Sequence, residues 1–145
     1  MSKISVIYWS GTGNTQTMAE ALAGELQKNG SDVKLLSVDQ ASKEDVLSAD
    51  AVALGCPSMG CEVLEESEME PFVTEIEKDS IRGKAMVLFG SFDWGDGQWM
   101  REWHERMAQA GALLVEEGLT VQNTPEEADL EKCRELGRKL ISFLG

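Results

Sequence analysis

Four side chains that donate hydrogen bonds without carrying charge, Ser10, Thr12, Asn14 and Thr15, are interleaved with Gly11 and Gly13 in the stretch Tyr8-Trp9-Ser10-Gly11-Thr12-Gly13-Asn14-Thr15. The glycines let backbone N–H groups approach whatever is bound. The chemistry that this pattern fits is the seating of an anion. A nucleoside-triphosphate loop needs a Gly-Lys-Ser/Thr ending, yet Lys3 is the only lysine nearby, and the dinucleotide fingerprint needs a third glycine where Gln16 stands. Two readings remain: a terminal phosphate monoester held by neutral donors, as in a resident cofactor, or an ordinary strand-to-helix turn with a Ser/Thr cap.

Two more stretches carry unusual residues. Pro57-Ser58-Met59-Gly60-Cys61-Glu62 and Ser91-Phe92-Asp93-Trp94-Gly95-Asp96-Gly97 each place a large polarisable or aromatic side chain beside a glycine. Met59 and Trp94 can cover the two faces of a planar heterocycle, with Gly60 and Gly95 allowing close approach and Glu62 accepting from a ring N–H. Packing of surface loops accounts for the same residue types. Acyl transfer is excluded, because Gly-x-Ser-x-Gly does not occur and Cys61 has no histidine near it in sequence. His104 is the only histidine, expected on the solvated face of its helix, and Cys56, Cys61 and Cys133 form no C-x-x-C pair. Neither a zinc site nor a disulfide framework is expected.

The elements that must position these stretches follow from apolar periodicity. Ile4, Val6, Ile7 and Tyr8 form a strand, and Met18, Ala19, Leu22, Ala23 and Leu26 repeat at helical spacing. A strand-to-helix junction aims N–H groups and the positive helix end at one spot, which suits an anion. A second strand is expected over Val33, Leu35, Leu36 and Val38, then a short helix from Ser42 to about Leu47. Ala51 to Leu54 is apolar on both faces, as in a central parallel strand. Met69, Phe72, Val73 and Ile76 mark one face of a helix with Pro71 in its first turn. A fourth strand runs from Ala85 to Phe89, and a helix carries Met100, Trp103, Met107 and Ala110. Leu113 to Val121 reads as a fifth strand interrupted around Glu116-Glu117-Gly118, at a sheet edge. Thr124 is expected to cap a last helix with Pro125 at its first position and Leu130, Cys133, Gly137, Leu140 and Leu144 facing inward.

Alternating strands and helices give an α/β domain over residues 1–145 with a five-stranded parallel sheet covered on both faces. Ligands then belong at the carboxyl ends of the strands, where residues 9–15, 56–62 and 91–97 meet. A receiver domain shares this architecture but needs acidic strand ends, where Trp9-Ser10 and Gly55-Cys56 stand. The formal net charge of -13, from 13 basic and 26 acidic residues, argues against nucleic acid and anionic membranes and favours basic partners. No membrane span or leader pattern is evident, so a cytoplasmic monomer is expected.

Val6-Ile7-Tyr8-Trp9-Ser10-Gly11-Thr12-Gly13-Asn14-Thr15, followed by Met59-Gly60-x-Glu62 and Ser91-x-x-Trp94-Gly95-x-Gly97, closely resembles the flavodoxin signature, of the short-chain class found in anaerobic bacteria. The resemblance covers essentially the whole chain. It implies a doubly wound sheet of order 2-1-3-4-5, for which flavodoxin is itself the standard example. It also implies FMN with its phosphate on Ser10, Thr12, Asn14 and Thr15, its ring between Met59 and Trp94, and Glu62 at the pyrimidine edge. The peptide after the methionine would turn over on one-electron reduction so that the Gly60 carbonyl accepts the flavin N5–H. Cofactor contacts are expected across Ser10 to Thr15, Pro57 to Glu62, and Ser91 to Gly95. Cys61 and Asp93 depart from the familiar pattern, which has an acid and a glycine at these places. The implied function is a low-potential one-electron carrier, not an enzyme, that shuttles between semiquinone and hydroquinone and docks through its acidic surface to basic redox proteins. An FMN-dependent reductase and a flavin-free interaction module are the alternatives.

Overall fold

Alternation along the strands divides the core in two, because successive side chains of a strand point to opposite faces. The computed structural model describes residues 2–60 and 62–145. Its strands are β1 (Lys3–Tyr8), β2 (Asp32–Ser37), β3 (Ala51–Gly55), β4 (Ala85–Phe92), β5 (Leu113–Leu114) and β6 (Leu119–Gln122). The helices are α1 (Asn14–Lys28), α2 (Lys43–Leu47), α3 (Met69–Ile76), α4 (Gln98–Gln109) and α5 (Glu127–Leu144). Ile4, Val6, Ala51, Ala53, Val87 and Phe89 meet the apolar stripes of α1 and α5. Ile7, Val52, Leu54, Met86 and Leu88 meet Val46 of α2 and the apolar faces of α3 and α4.

The sheet is parallel with order β2-β1-β3-β4-β5, and β6 continues along β4 beyond β5. The expected 2-1-3-4-5 order therefore holds, with the fifth strand present as two pieces. β3 is buried at every position, as a central strand should be. Between β5 and β6, Gly118 lies so close to Met100 that an added Cβ would come within 2.4 Å of its sulfur. Among the described residues no helix is long and apolar enough to cross a membrane.

Three boundaries differ from those read in the sequence. Val38 leaves the second strand for a 3-10 turn but stays buried, so burial preserved its place in the apolar pattern. β4 runs on through Gly90, Ser91 and Phe92, because these residues pair with Thr120, Val121 and Gln122. That extension also brings Gly90 against the Cys56 carbonyl oxygen, where a Cβ would come within 2.1 Å. The last helix begins after Glu126, not Thr124. The Glu126 side chain accepts from the N3 backbone while Asp129 accepts from Glu126 N at 2.9 Å, a reciprocal cap that starts the helix two residues later.

Candidate functional site

The chain emerges from β1 at Trp9, whose N–H donates to the Gly55 carbonyl at 3.0 Å and whose indole N–H donates to Glu68 at 3.0 Å. The Trp9 ring lies against Gly11, where a Cβ would approach within 3.1 Å. Ser10 Oγ accepts from Gly13 N at 3.1 Å and Gln16 N at 3.3 Å, which folds residues 10–16 into a tight turn. Gly13, at φ 99, is the N-cap of α1 and supplies no side-chain cap. No acidic residue lies in the first turn of α1, and among the described residues the Asn14 and Thr15 N–H groups have no hydrogen-bond partner.

The donor set fits a phosphate monoester. Exposed Thr12, half-buried Ser10, Gly13 and Asn14, and the uncapped end of α1 offer neutral donors and the positive helix end, with no carboxylate in the loop to repel the group. Thr15 behaves differently from the other hydroxyls. It is 1% exposed and its Oγ1 shares a 2.9 Å hydrogen bond with Ser91 Oγ. Its N–H, rather than its side chain, is the group at the free helix end.

The second loop follows β3. Cys56 N donates to the Phe89 carbonyl, and Ser58 N donates to the Ser91 carbonyl at 3.0 Å, so residues 56–58 run beside the end of β4. Met59 and Val63 then exchange both backbone hydrogen bonds, at 2.9 and 3.0 Å, closing a narrow turn. Gly60 has φ 48 and Glu62 φ 56. A non-glycine residue held in the left-handed region costs on the order of 1 kcal/mol or more, so something must hold Glu62 there. Its Oε1 accepts from Gln98 N at 3.1 Å, at the start of α4. Gly95, at φ 94, packs onto the same carboxylate, and a Cβ there would come within 2.6 Å of Glu62 Cδ. Cys61 lies outside the described residues.

In the third loop Trp94 is 62% exposed, so its face is available for stacking. Asp93 and Gly95 are exposed as well, and Ser91 is buried. Phe92 turns its ring onto Trp99, with centroids 5.6 Å apart, and so belongs to the core side of the loop. Met59 and Pro57 are half-buried, whereas Gly60 is exposed and has nothing within 4 Å of a Cβ built on it.

Sequence reasoning missed a fourth segment at this end of the sheet, the one after β6. Asn14 Nδ2 donates to the Asn123 carbonyl at 3.3 Å, and Gln122 Nε2 donates to the Asp93 carbonyl at 3.2 Å. Asn123 itself has φ 62. The rule that ligands lie at carboxyl strand ends would have found this segment had it been applied to the fifth strand. Glu65 also went unnoticed. Its buried carboxylate accepts from the N–H groups of Ser67, Glu68 and Met69 and so caps α3. Burial alone would raise its pKa, but a hydrogen bond from the Ser67 hydroxyl and these backbone bonds together outweigh burial and hold it below the ordinary carboxylate value.

The two described thiols, Cys56 and Cys133, are inert. Burial pushes the Cys56 thiol up to about 12, and Cys133 likewise, so neither is a thiolate at neutral pH. Among the described residues no cluster of His, Cys, Asp or Glu is arranged to hold a metal ion. What the site offers is an anion seat, an exposed aromatic face, and a carboxylate held at a left-handed turn.

Comparison with known proteins extends this geometry. Residues 6–137 match the family model described as Flavodoxin. A flavodoxin of Clostridium beijerinckii is 48% identical over 140 residues, covering 97% of this chain and all of that protein. A flavodoxin of Megasphaera elsdenii is 40% identical over 134 residues, covering 92% of this chain and 95% of the relative. The solution structure of two-electron reduced Megasphaera elsdenii flavodoxin superposes with a TM-score of 0.86 at 38% identity, over 96% of this chain and 98% of the other.

Proposed function

This chain belongs to the flavodoxin family, and from that premise we propose that it is a low-potential one-electron carrier which holds FMN across its three loops. The family is one of FMN-binding electron-transfer proteins, not enzymes. FMN, when bound, supplies the ability to take up electrons one at a time; the second and lower-potential step is the working one. The observation that carries the site assignment is the open, acid-free start of α1 beside Ser10, Thr12 and Asn14, which matches a phosphate that stays in place.

On this reading the N–H groups of Asn14 and Thr15 and the hydroxyls of Ser10 and Thr12 hold the phosphate. Trp94 and Met59 would cover the ring faces and exclude water, Glu62 would take the pyrimidine N–H, and the Gly60 carbonyl would accept a hydrogen bond from the flavin N5–H. Pro57 and Ser58 line the approach between phosphate and ring, as do Ser91, Phe92, Asp93 and Gly95. A net charge of -13 makes a further negative charge on the ring costly and lowers the second potential. The same charge draws basic redox partners to the ring edge.

A titration of ligand-free protein with FMN, followed by stepwise reduction, tests the reading. Tight uptake with quenched flavin fluorescence and two separated one-electron steps is expected. A protein that takes up no FMN, or one that passes both electrons in a single step, overturns it. Gly60→Ala adds a Cβ in open space but at φ 48, so it should narrow the gap between the two potentials. An unchanged gap removes Gly60 from the mechanism.

A further inference from the structure

α4 begins in the third loop and has no cap of its own. Its N-cap is Gly97 at φ 89, its first turn contains no acidic residue, and Gly97 supplies no side-chain hydrogen bond. The acceptor comes from 36 residues away, as Glu62 Oε1 takes Gln98 N at 3.1 Å. Three features make this a built arrangement. Glu62 adopts a left-handed backbone that a non-glycine residue resists, at the mouth of the turn closed by the Met59–Val63 pair. Gly95 leaves room for the carboxylate that any Cβ would take. A carboxylate at an uncapped helix start gains from both the N–H bond and the helix dipole.

We infer that Glu62 is a positioning residue that clips the Met59–Val63 turn to the start of α4, and thereby joins the two loops before any ligand arrives. The inference rests on the reading of residues 57–62 and 91–95 as the two sides of a flavin-ring site. It adds to that reading a second task for Glu62. One carboxylate oxygen holds Gln98 N, and among the described residues Oε2 has no hydrogen-bond partner, which leaves it free for a ring N–H. The site is thus preorganised: the spacing of the two loops is set in the ligand-free protein, so binding need not spend free energy on bringing them together.

The test reads the Gln98 amide by hydrogen exchange in the ligand-free full chain, alongside FMN titrations. Glu62→Ala should speed Gln98 exchange by about ten-fold, the factor for one net hydrogen bond at the upper end of its usual range. Glu62→Gln, which keeps the acceptor oxygen, should hold exchange near wild type while weakening FMN binding less than Glu62→Ala does. Where Glu62→Ala does not fold, Gly95→Ala reads the same amide, because it keeps the carboxylate and displaces it with a Cβ. Gln98 exchange unchanged in Glu62→Ala, or in Gly95→Ala, overturns the clip whatever happens to FMN. Faster exchange with unaltered FMN affinity supports the clip and removes Glu62 from the ring edge. Failure of the wild-type chain to take up FMN overturns the flavin reading, and the exchange result still decides the clip.

Discussion

α1 and α4 start alike and end up with opposite chemistry. Each follows a Gly-x-Gly stretch, each has a left-handed glycine as N-cap, at φ 99 and φ 89, and neither carries an acidic residue in its first turn. The start of α4 is closed by Glu62 from another loop. At the start of α1 the side chain that accepts from the turn's backbone is a neutral one, Ser10, which takes Gly13 N and Gln16 N and, among the described residues, leaves Asn14 N and Thr15 N open. An open helix start with hydroxyls around it takes an anion, whereas a closed one becomes a joint. Both starts offer free N–H groups and the positive helix end, and the partner that the fold brings in decides which one stays available.

Filling the open start is the most damaging way to break this contrast. Thr12→Asp places a carboxylate in the loop, and two unit charges about 5 Å apart at an effective dielectric of about 20 repel by about 3 kcal/mol. FMN affinity should fall by about two orders of magnitude or more, while affinity for riboflavin, which lacks the phosphate, should change far less. Equal losses for the two ligands would show that the loop does not seat the phosphate. Fluorescence-quenching titrations provide both numbers.

Removing a cap that comes from α3's own approach should cost nearly as much, in stability and not in binding. Glu65→Ala orphans three N–H groups at a helix start, for a loss of about 2–3 kcal/mol measurable by denaturant unfolding. The Glu65 carboxyl is held below its ordinary value of 4.5. Its stabilisation is therefore present at neutral pH and fades as pH falls from about 4.5 through its lower folded-state pKa. The stability gap between wild type and Glu65→Gln should close over that acid range. A gap that widened on acidification would contradict the assignment.

Opening the closed start indirectly is the next largest change. Gly95→Ala combines a Cβ within 2.6 Å of the Glu62 carboxylate with strain at φ 94, and should lower stability by about 1–2 kcal/mol. Affinity for the flavin ring should fall with it, equally for FMN and riboflavin, in contrast to Thr12→Asp. The smallest effect is expected at the buried hydroxyl pair. Ser91→Ala leaves Thr15 Oγ1 without its recorded partner, for a loss of about 1 kcal/mol, and FMN affinity should shift by less than about ten-fold. A larger binding loss would show that the Thr15 hydroxyl, and not only its N–H, serves the phosphate.

Much of this molecule was legible beforehand. The unbroken apolar runs Ala51–Leu54 and Ala85–Phe89 identified the buried strands, and the 3.6-residue stripes in α1, α3 and α4 identified the covering faces, because both are set by which side chains must leave water. The interruption at Glu116-Glu117-Gly118 was also visible, and it divides the last strand into β5 and β6. Less legible were the ends of elements. Phe92 lies beyond the apolar run that marks the fourth strand, because its strand conformation depends on pairing with Gln122, thirty residues further on. Thr124 looked like a cap because Ser/Thr before Pro-Glu-Glu is a common start, whereas Glu126 and Asp129 satisfied each other instead.

The anion seat was a property of the sequence itself: hydroxyls, glycines and a strand-to-helix change within eight residues fix the local backbone, and local backbone sets the direction of its N–H groups. Tertiary structure alone decided what each helix start would face. Nothing near Gln98 in sequence announces that Glu62 caps it, nothing near Thr15 announces Ser91, and nothing near Asn14 announces Asn123. Those pairings arise where parallel strands end together, so they depend on sheet order and register, which set distances between residues far apart along the chain.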